Sequence, residues 1–185
     1  MTAWVEQLAD SLQPVLDLPL VRRTRRNHGL EHATIHLLAN RVKNLRMAGR
    51  SDGSGFVLMG EAPTEAIDAA VRDALRRMRN GEHHLAVHPN CGTNLVTTGM
   101  MTSAAALLGL AGANRRDVFN RFPTLMILMI AALIFSQPLG LSLQKYITTD
   151  GDPADLEIIR ITRSEMRTPF SANAITVHRV TTRSS

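Results

Sequence analysis

Two short stretches of this chain carry side chains that could together hold a metal ion. The first is His28-Gly-Leu-Glu31-His32, with His36 four residues further on, and the second is His88-Pro-Asn-Cys91-Gly92. Imidazoles, a carboxylate and a thiol are the groups that bind a borderline-soft divalent ion such as zinc. The chain has 7 histidines, of which four fall in these stretches, and Cys91 is its 1 cysteine.

On a helix, His32 lies about 40° around from His28, Glu31 about 60° the other way, and His36 about 80° from His28. All four share one face, and imidazoles four residues apart can reach a single ion. H-x-x-E-H is the inverted zinc-protease spacing, in which the carboxylate beside a ligand acts as general base toward water. Taken alone, the spacing fits a polar helix face of packed or solvated histidines equally well. The second stretch has the form ligand-Pro-x-ligand-Gly. Two intervening residues let both ligands converge, Pro89 stiffens the turn, and Gly92 lets the backbone fold back toward the sulfur.

The candidate ligands are therefore His28, His32, His88 and Cys91. His36 is a further ligand, a partner of one, or merely the next polar residue on that face. Four protein ligands would enclose zinc in a structural site; three would leave an open position and give Glu31 a catalytic task. Thr93 and Asn94 follow the turn and could hydrogen-bond the ligands.

These residues need elements to position them. Residues 3–17 place Trp4, Val5, Leu8, Leu12, Val15 and Leu16 at near-helical spacing, with an interruption around Pro14. After a break at Asp17-Leu-Pro19, the cluster Arg22–Arg26 leads into a helix expected from about Asn27, as N-cap, to Lys43. Gly49 to Gly55 reads as a loop, without the flanking strand and helix that a nucleotide-phosphate loop needs. Phe56–Met59 reads as a strand, Pro63–Asn80 as a helix with one apolar stripe, and Leu85–Val87 as a second strand.

Leu95–Ala113 and Phe122–Leu143 carry no charge, and about 20 apolar residues span a bilayer core. Both are expected to cross as a hairpin, with small residues on the first packing against the second. Leu156–Ile161 and Ile175–Val180 read as strands extending the sheet. His83 and His84 are expected in an exposed loop, and His178, alternating with Val177 and Arg179, on a solvent-facing side. The fold class is thus α+β: a small mixed portion with a two-helix transmembrane hairpin inserted. Its segments are an amphipathic helix (1–20), the motif helix with strand–helix–strand and metal turn (21–94), the hairpin (95–145) and C-terminal strands (146–185).

Lys and Arg number 21 against 16 acids, a formal charge of +5. Beside a membrane segment, Arg22–Arg26 reads as a contact for anionic lipid headgroups. With 4% aromatic residues and no recognition module, nucleic acid is disfavoured as a partner. One cysteine excludes an internal disulfide, and no basic-then-apolar signal opens the chain. A multi-pass protein of the cell membrane with both termini cytoplasmic is expected. The loop arginines Arg115, Arg116 and Arg121 compete with Arg76, Arg77, Arg79 and Lys145 in setting that orientation.

The runs Asn27–His36, Leu85–Leu95 with Thr98-Gly-Met-Met101, and Gln144–Thr149 resemble an uncharacterised family of bacterial membrane proteins catalogued as a domain of unknown function. The first two runs are also similar to the YqhQ-like membrane proteins, described as metal-dependent. The resemblance covers about residues 22 to 180 and carries over to His28, Glu31, His32, His88, Cys91, Gly92, Thr93 and Asn94; His36 matches the YqhQ-like pattern alone. It implies a membrane location and a divalent metal, zinc or another transition ion, and supplies no substrate. Metal-dependent hydrolysis of a peptide or a lipid-linked substrate, with Glu31 catalytic, and a non-catalytic scaffold with a structural metal both stand at this point.

Overall fold

A computed structural model describes residues 3–114, 117–167 and 174–185. The elements run α1 (Ala3–Leu16), α2 (Pro19–Arg41), β1 (Ala48–Asp52), β2 (Gly55–Met59), α3 (Thr64–Arg79), a 3₁₀ turn (His83–Ala86), α4 (Gly92–Leu110), α5 (Val118–Leu143), a π turn (Gln144–Thr148), β3 (Glu157–Met166) and β4 (Ile175–Arg183). Among the described residues, five helices and a four-stranded antiparallel sheet of order β1-β2-β4-β3 make an α+β fold.

The core forms where α2 and α3 cover one face of the sheet. On α3, Ile67, Ala70, Val71, Ala74, Leu75 and Met78 recur at helical spacing, and all are buried. They meet Leu30, Leu37 and Leu38 of α2 and Phe56, Leu58 and Val180 of the sheet. Arg76, Arg77 and Arg79 end α3, where cations favour the helix dipole.

Several expectations are corrected. The helix bearing the histidines starts at Pro19, where proline at the first turn is well tolerated. Asn27 is therefore interior and buried. Its amide donates to the Asp52 carbonyl at 2.8 Å and accepts from Thr182 Oγ1 at 2.6 Å, tying the helix to the sheet. Pro14 lies within a continuous α1.

Gly49 to Gly55 is mostly strand and turn. Asp52 accepts from Ser54 N, as in an Asx turn, and closes a hairpin. The sequence hides β1 because its inward positions are Gly49 and Ser51 rather than apolar residues. Leu85 and Ala86 close a 3₁₀ turn instead of joining the sheet. His178 is fully buried: it shares the inward parity of Val180 and pairs across from Leu58, so strict alternation turns Val177 and Arg179 outward instead.

The hairpin is present: α4 and α5 pack along each other, with Gly109 against Leu125 and Leu128. Among the described residues, however, one helix, Val118–Thr148, is long and apolar enough to cross a membrane. A two-span reading is not met, because α4 begins at Gly92 and carries Thr93, Asn94, Thr97, Thr98 and Thr102. Arg115 and Arg116, on which the orientation argument drew, lie outside the described residues.

Candidate metal centre

α2 presents His28 and His32 one turn apart, and their rings meet edge to face with centroids 4.4 Å apart. Cys91 caps the N-terminus of α4. Ligand atoms of His28, His32 and Cys91 all lie within 4.8 Å of one another. Two imidazoles and a thiol suit zinc and similar ions, so the side chains fit the implied group.

Both imidazoles are held by backbone carbonyls. His28 Nδ1 lies 2.9 Å from the Thr148 carbonyl of the π turn, and His32 Nδ1 lies 2.7 Å from the Ala86 carbonyl. A carbonyl can only accept, so each Nδ1 carries the proton and each Nε2 keeps its lone pair. His28 Nε2 stands 3.4 Å from Cys91 Sγ. Fixing the far nitrogen in this way is how proteins orient histidine ligands. It also explains why 83–87 pairs with no strand among the described residues: the Ala86 and Val87 carbonyls serve His32 and His36 instead.

The thiol is acidified. Burial pushes Cys91 up, but contacts with the His28 and His32 rings and the Thr93 backbone N–H outweigh it, bringing the pKa from 9.0 down to about 5. Burial also works against a charged His28, yet the sulfur beside it raises that imidazole. The lowered thiol and the raised imidazole share one proton across their contact, and a cation would take that proton's place.

Glu31 is buried beneath β1. Ser51 Oγ donates to its Oε2, and its Oε1 occupies the space that a Cβ on Gly49 would need. Burial raises its pKa, against the opposing pull of Ser51, His28 and His32. His28, Glu31, His32 and Cys91 line one cleft of about 400 Å³, shared with Gly49, His88 and Asn90.

His88 stands apart from the three clustered ligands. Its ring centroid is 5.7 Å from that of His32 and 4.7 Å from that of His36. Burial and the neighbouring His36 and His32 hold its pKa at about 4. His36 Nε2 donates to the Val87 carbonyl at 3.0 Å. Thr93 reaches the sulfur through its backbone N–H, and its hydroxyl meets Thr148 Oγ1. Asn94 donates to the Pro89 carbonyl at 2.6 Å and accepts from Gln144, whose Oε1 accepts from His88 N.

Sequence reasoning missed Gln144, Ser51, Gly49 and Thr148. Only the Gln144–Thr149 run carried a signal, as part of a motif without an assigned role. His83 and His84 are exposed, as expected. Among the arginines, Arg25 donates to the Tyr146 and Thr149 carbonyls, and Arg26 pairs with Asp155 and Asp150.

An α+β fold with a His–His–Cys cluster at the root of a helical hairpin defines a class of protein before any relative is considered. The chain belongs to the family described as Domain of unknown function (DUF6391), which matches residues 23–161. It is similar to an uncharacterized protein of Picosynechococcus sp., 31% identical over 134 residues, covering 68% of this chain and 65% of the relative's length. No solved structure matches it.

Proposed function

We propose that this protein is a membrane-embedded hydrolase dependent on a zinc-type ion held by His28, His32 and Cys91. The observation that carries this reading is the opening of a three-ligand cluster onto a cleft that also holds a buried carboxylate, Glu31. A bound ion would supply Lewis-acid polarisation of an oxygen in the open position. The chain's own residues do the rest. Ser51 fixes one carboxylate oxygen of Glu31, and burial raises its affinity for a proton, so Glu31 can take a proton from water and return it to a leaving group. His88, with a low pKa, stands beside the cluster as acid–base partner or fourth ligand.

Membrane embedding is supported by the apolar surface of the hairpin. Leu95, Val96, Met100, Leu107 and Leu108 on α4, and Phe119, Ile127 and Ile134 on α5, are each more than half exposed. Only 17% of the most apolar stretch of α5 is buried. Such a surface needs a cover. The motif similarity to YqhQ-like membrane proteins points the same way. In this reading Arg22 and Arg23, which pair with no carboxylate among the described residues, are left to meet anionic headgroups.

The test is turnover of fluorogenic casein and of a fluorogenic acyl ester by zinc-loaded protein in nanodiscs. Glu31→Gln should retain one ion per chain and lose turnover of whichever probe is cleaved; unchanged turnover would remove Glu31 from this role. A second reading rests on the way the cluster joins α2, the π turn and the start of α4. It makes the ion a structural tie, and predicts that Cys91→Ser loses metal and folded protein together while Glu31→Gln changes nothing.

A further inference from the structure

Building on the hydrolase reading, we propose that the substrate is a polypeptide bound in extended form, added as a fifth strand along the free edge of β1. In the order β1-β2-β4-β3, β1 has a partner strand on one side only among the described residues. Its beginning borders the cleft, which Ala48 and Gly49 line together with His28 and His32 of α2 and the Asn90–Gly92 turn. β1 then tracks α2 backward. Gly49 lies over Glu31, Ser51 bonds the same carboxylate, and Gly53 reaches Leu20 near the start of the helix. A chain laid along that edge passes beside the histidines.

The class of substrate follows from what an edge offers. A strand edge is a row of backbone N–H and C=O groups, which only another polypeptide can match in register. A lipid tail has neither group. The exposed side chains of Arg50 and Asp52 discourage two copies from pairing edge to edge, as charges on edge strands do. Ile35, Ala39 and Leu45 also line the cleft, and would take an apolar side chain next to the cut bond. In the reaction, water oxygen adds to the scissile carbonyl carbon and its proton goes to Glu31. The C–N bond then breaks, and that proton passes to the leaving nitrogen. The proton left on the added hydroxyl also passes to the amine, so that one water is consumed, a carboxylate and an ammonium group result, and no electrons change hands.

The experiment uses full-length protein in nanodiscs with unfolded casein as probe. Backbone hydrogen exchange of the Glu31→Gln variant should show amides within residues 47–51 slowed at least tenfold by casein and unaffected by phospholipid. In the active protein, the best-cleaved casein peptide is then scanned by N-methylation. Loss of cleavage at every second position, at least tenfold, is the signature of strand addition. Ester hydrolysis without casein cleavage would overturn the peptide assignment and leave the hydrolase reading standing. Casein cleavage with unchanged exchange in β1, or with no alternation in the scan, would overturn strand addition alone. Turnover of neither probe would overturn both.

Discussion

Two regions of this molecule bury histidine, and they do it differently. In the metal centre, His28 and His32 each give Nδ1–H to a backbone carbonyl and turn Nε2 toward a thiol. In the sheet, His178 meets the Thr64 hydroxyl through Nε2, while Nδ1 is buried with no hydrogen-bond partner among the described residues. Burial and the cross-strand Arg163 lower the affinity of His178 for a proton, and no thiol lies against it. The difference lies in where the second nitrogen points. One arrangement leaves lone pairs converging on a common point, and the other leaves a ring filling space.

The largest test of that contrast is Cys91→Ser. It should lower zinc affinity by roughly 100-fold or more, since it removes a thiolate ligand outright, as read by competition with a chromogenic chelator. Next comes Gly49→Ala, whose new Cβ would collide with Glu31 Oε1. Turnover should drop by about 10- to 100-fold through displacement of the base, with metal content intact by elemental analysis. Gln144→Ala should destabilise the protein by about 1–3 kcal/mol, because His88 N–H and Asn94 Oδ1 lose a buried partner. Denaturation in detergent measures it.

Acidity gives a finer test on metal-free protein. The folded pKa of Cys91 is depressed from 9.0 to about 5. Its stabilising contribution is therefore fully present above the unfolded value and lost as pH falls through the folded one. The stability gap between wild type and Cys91→Ser should shrink from pH 9 toward pH 5, and iodoacetamide should still alkylate natively folded Cys91 at pH 6. The smallest effect is expected at the sheet. His178→Leu should leave zinc binding unchanged and shift stability by only about 1 kcal/mol.

Much of this was legible in the sequence where one face of one element carries the information. The α3 stripe and the convergence of His28 with His32 are local consequences of helical periodicity, and the Pro89–Gly92 turn announces its own bend. The rest is written across the chain. Gln144 sits 56 residues from the backbone N–H it accepts, and Thr148 is 120 residues from the imidazole it holds. No spacing rule reaches that far. β1 was hidden for a related reason: Glu31 fills the space beneath it, so its inward positions had to be Gly49 and Ser51. His178 was misplaced because Val177 looked like the better inward residue, whereas the register on β2 decides the parity.

The account stands or falls on one ion at the junction of α2 and α4. X-ray absorption on purified, zinc-loaded protein, read with metal stoichiometry, tests it most directly. The account predicts one zinc per chain with a single sulfur neighbour at about 2.3 Å and nitrogen or oxygen neighbours completing the shell. That sulfur should vanish in Cys91→Ser. A protein that binds no ion, or binds one with no sulfur in its shell, would contradict it.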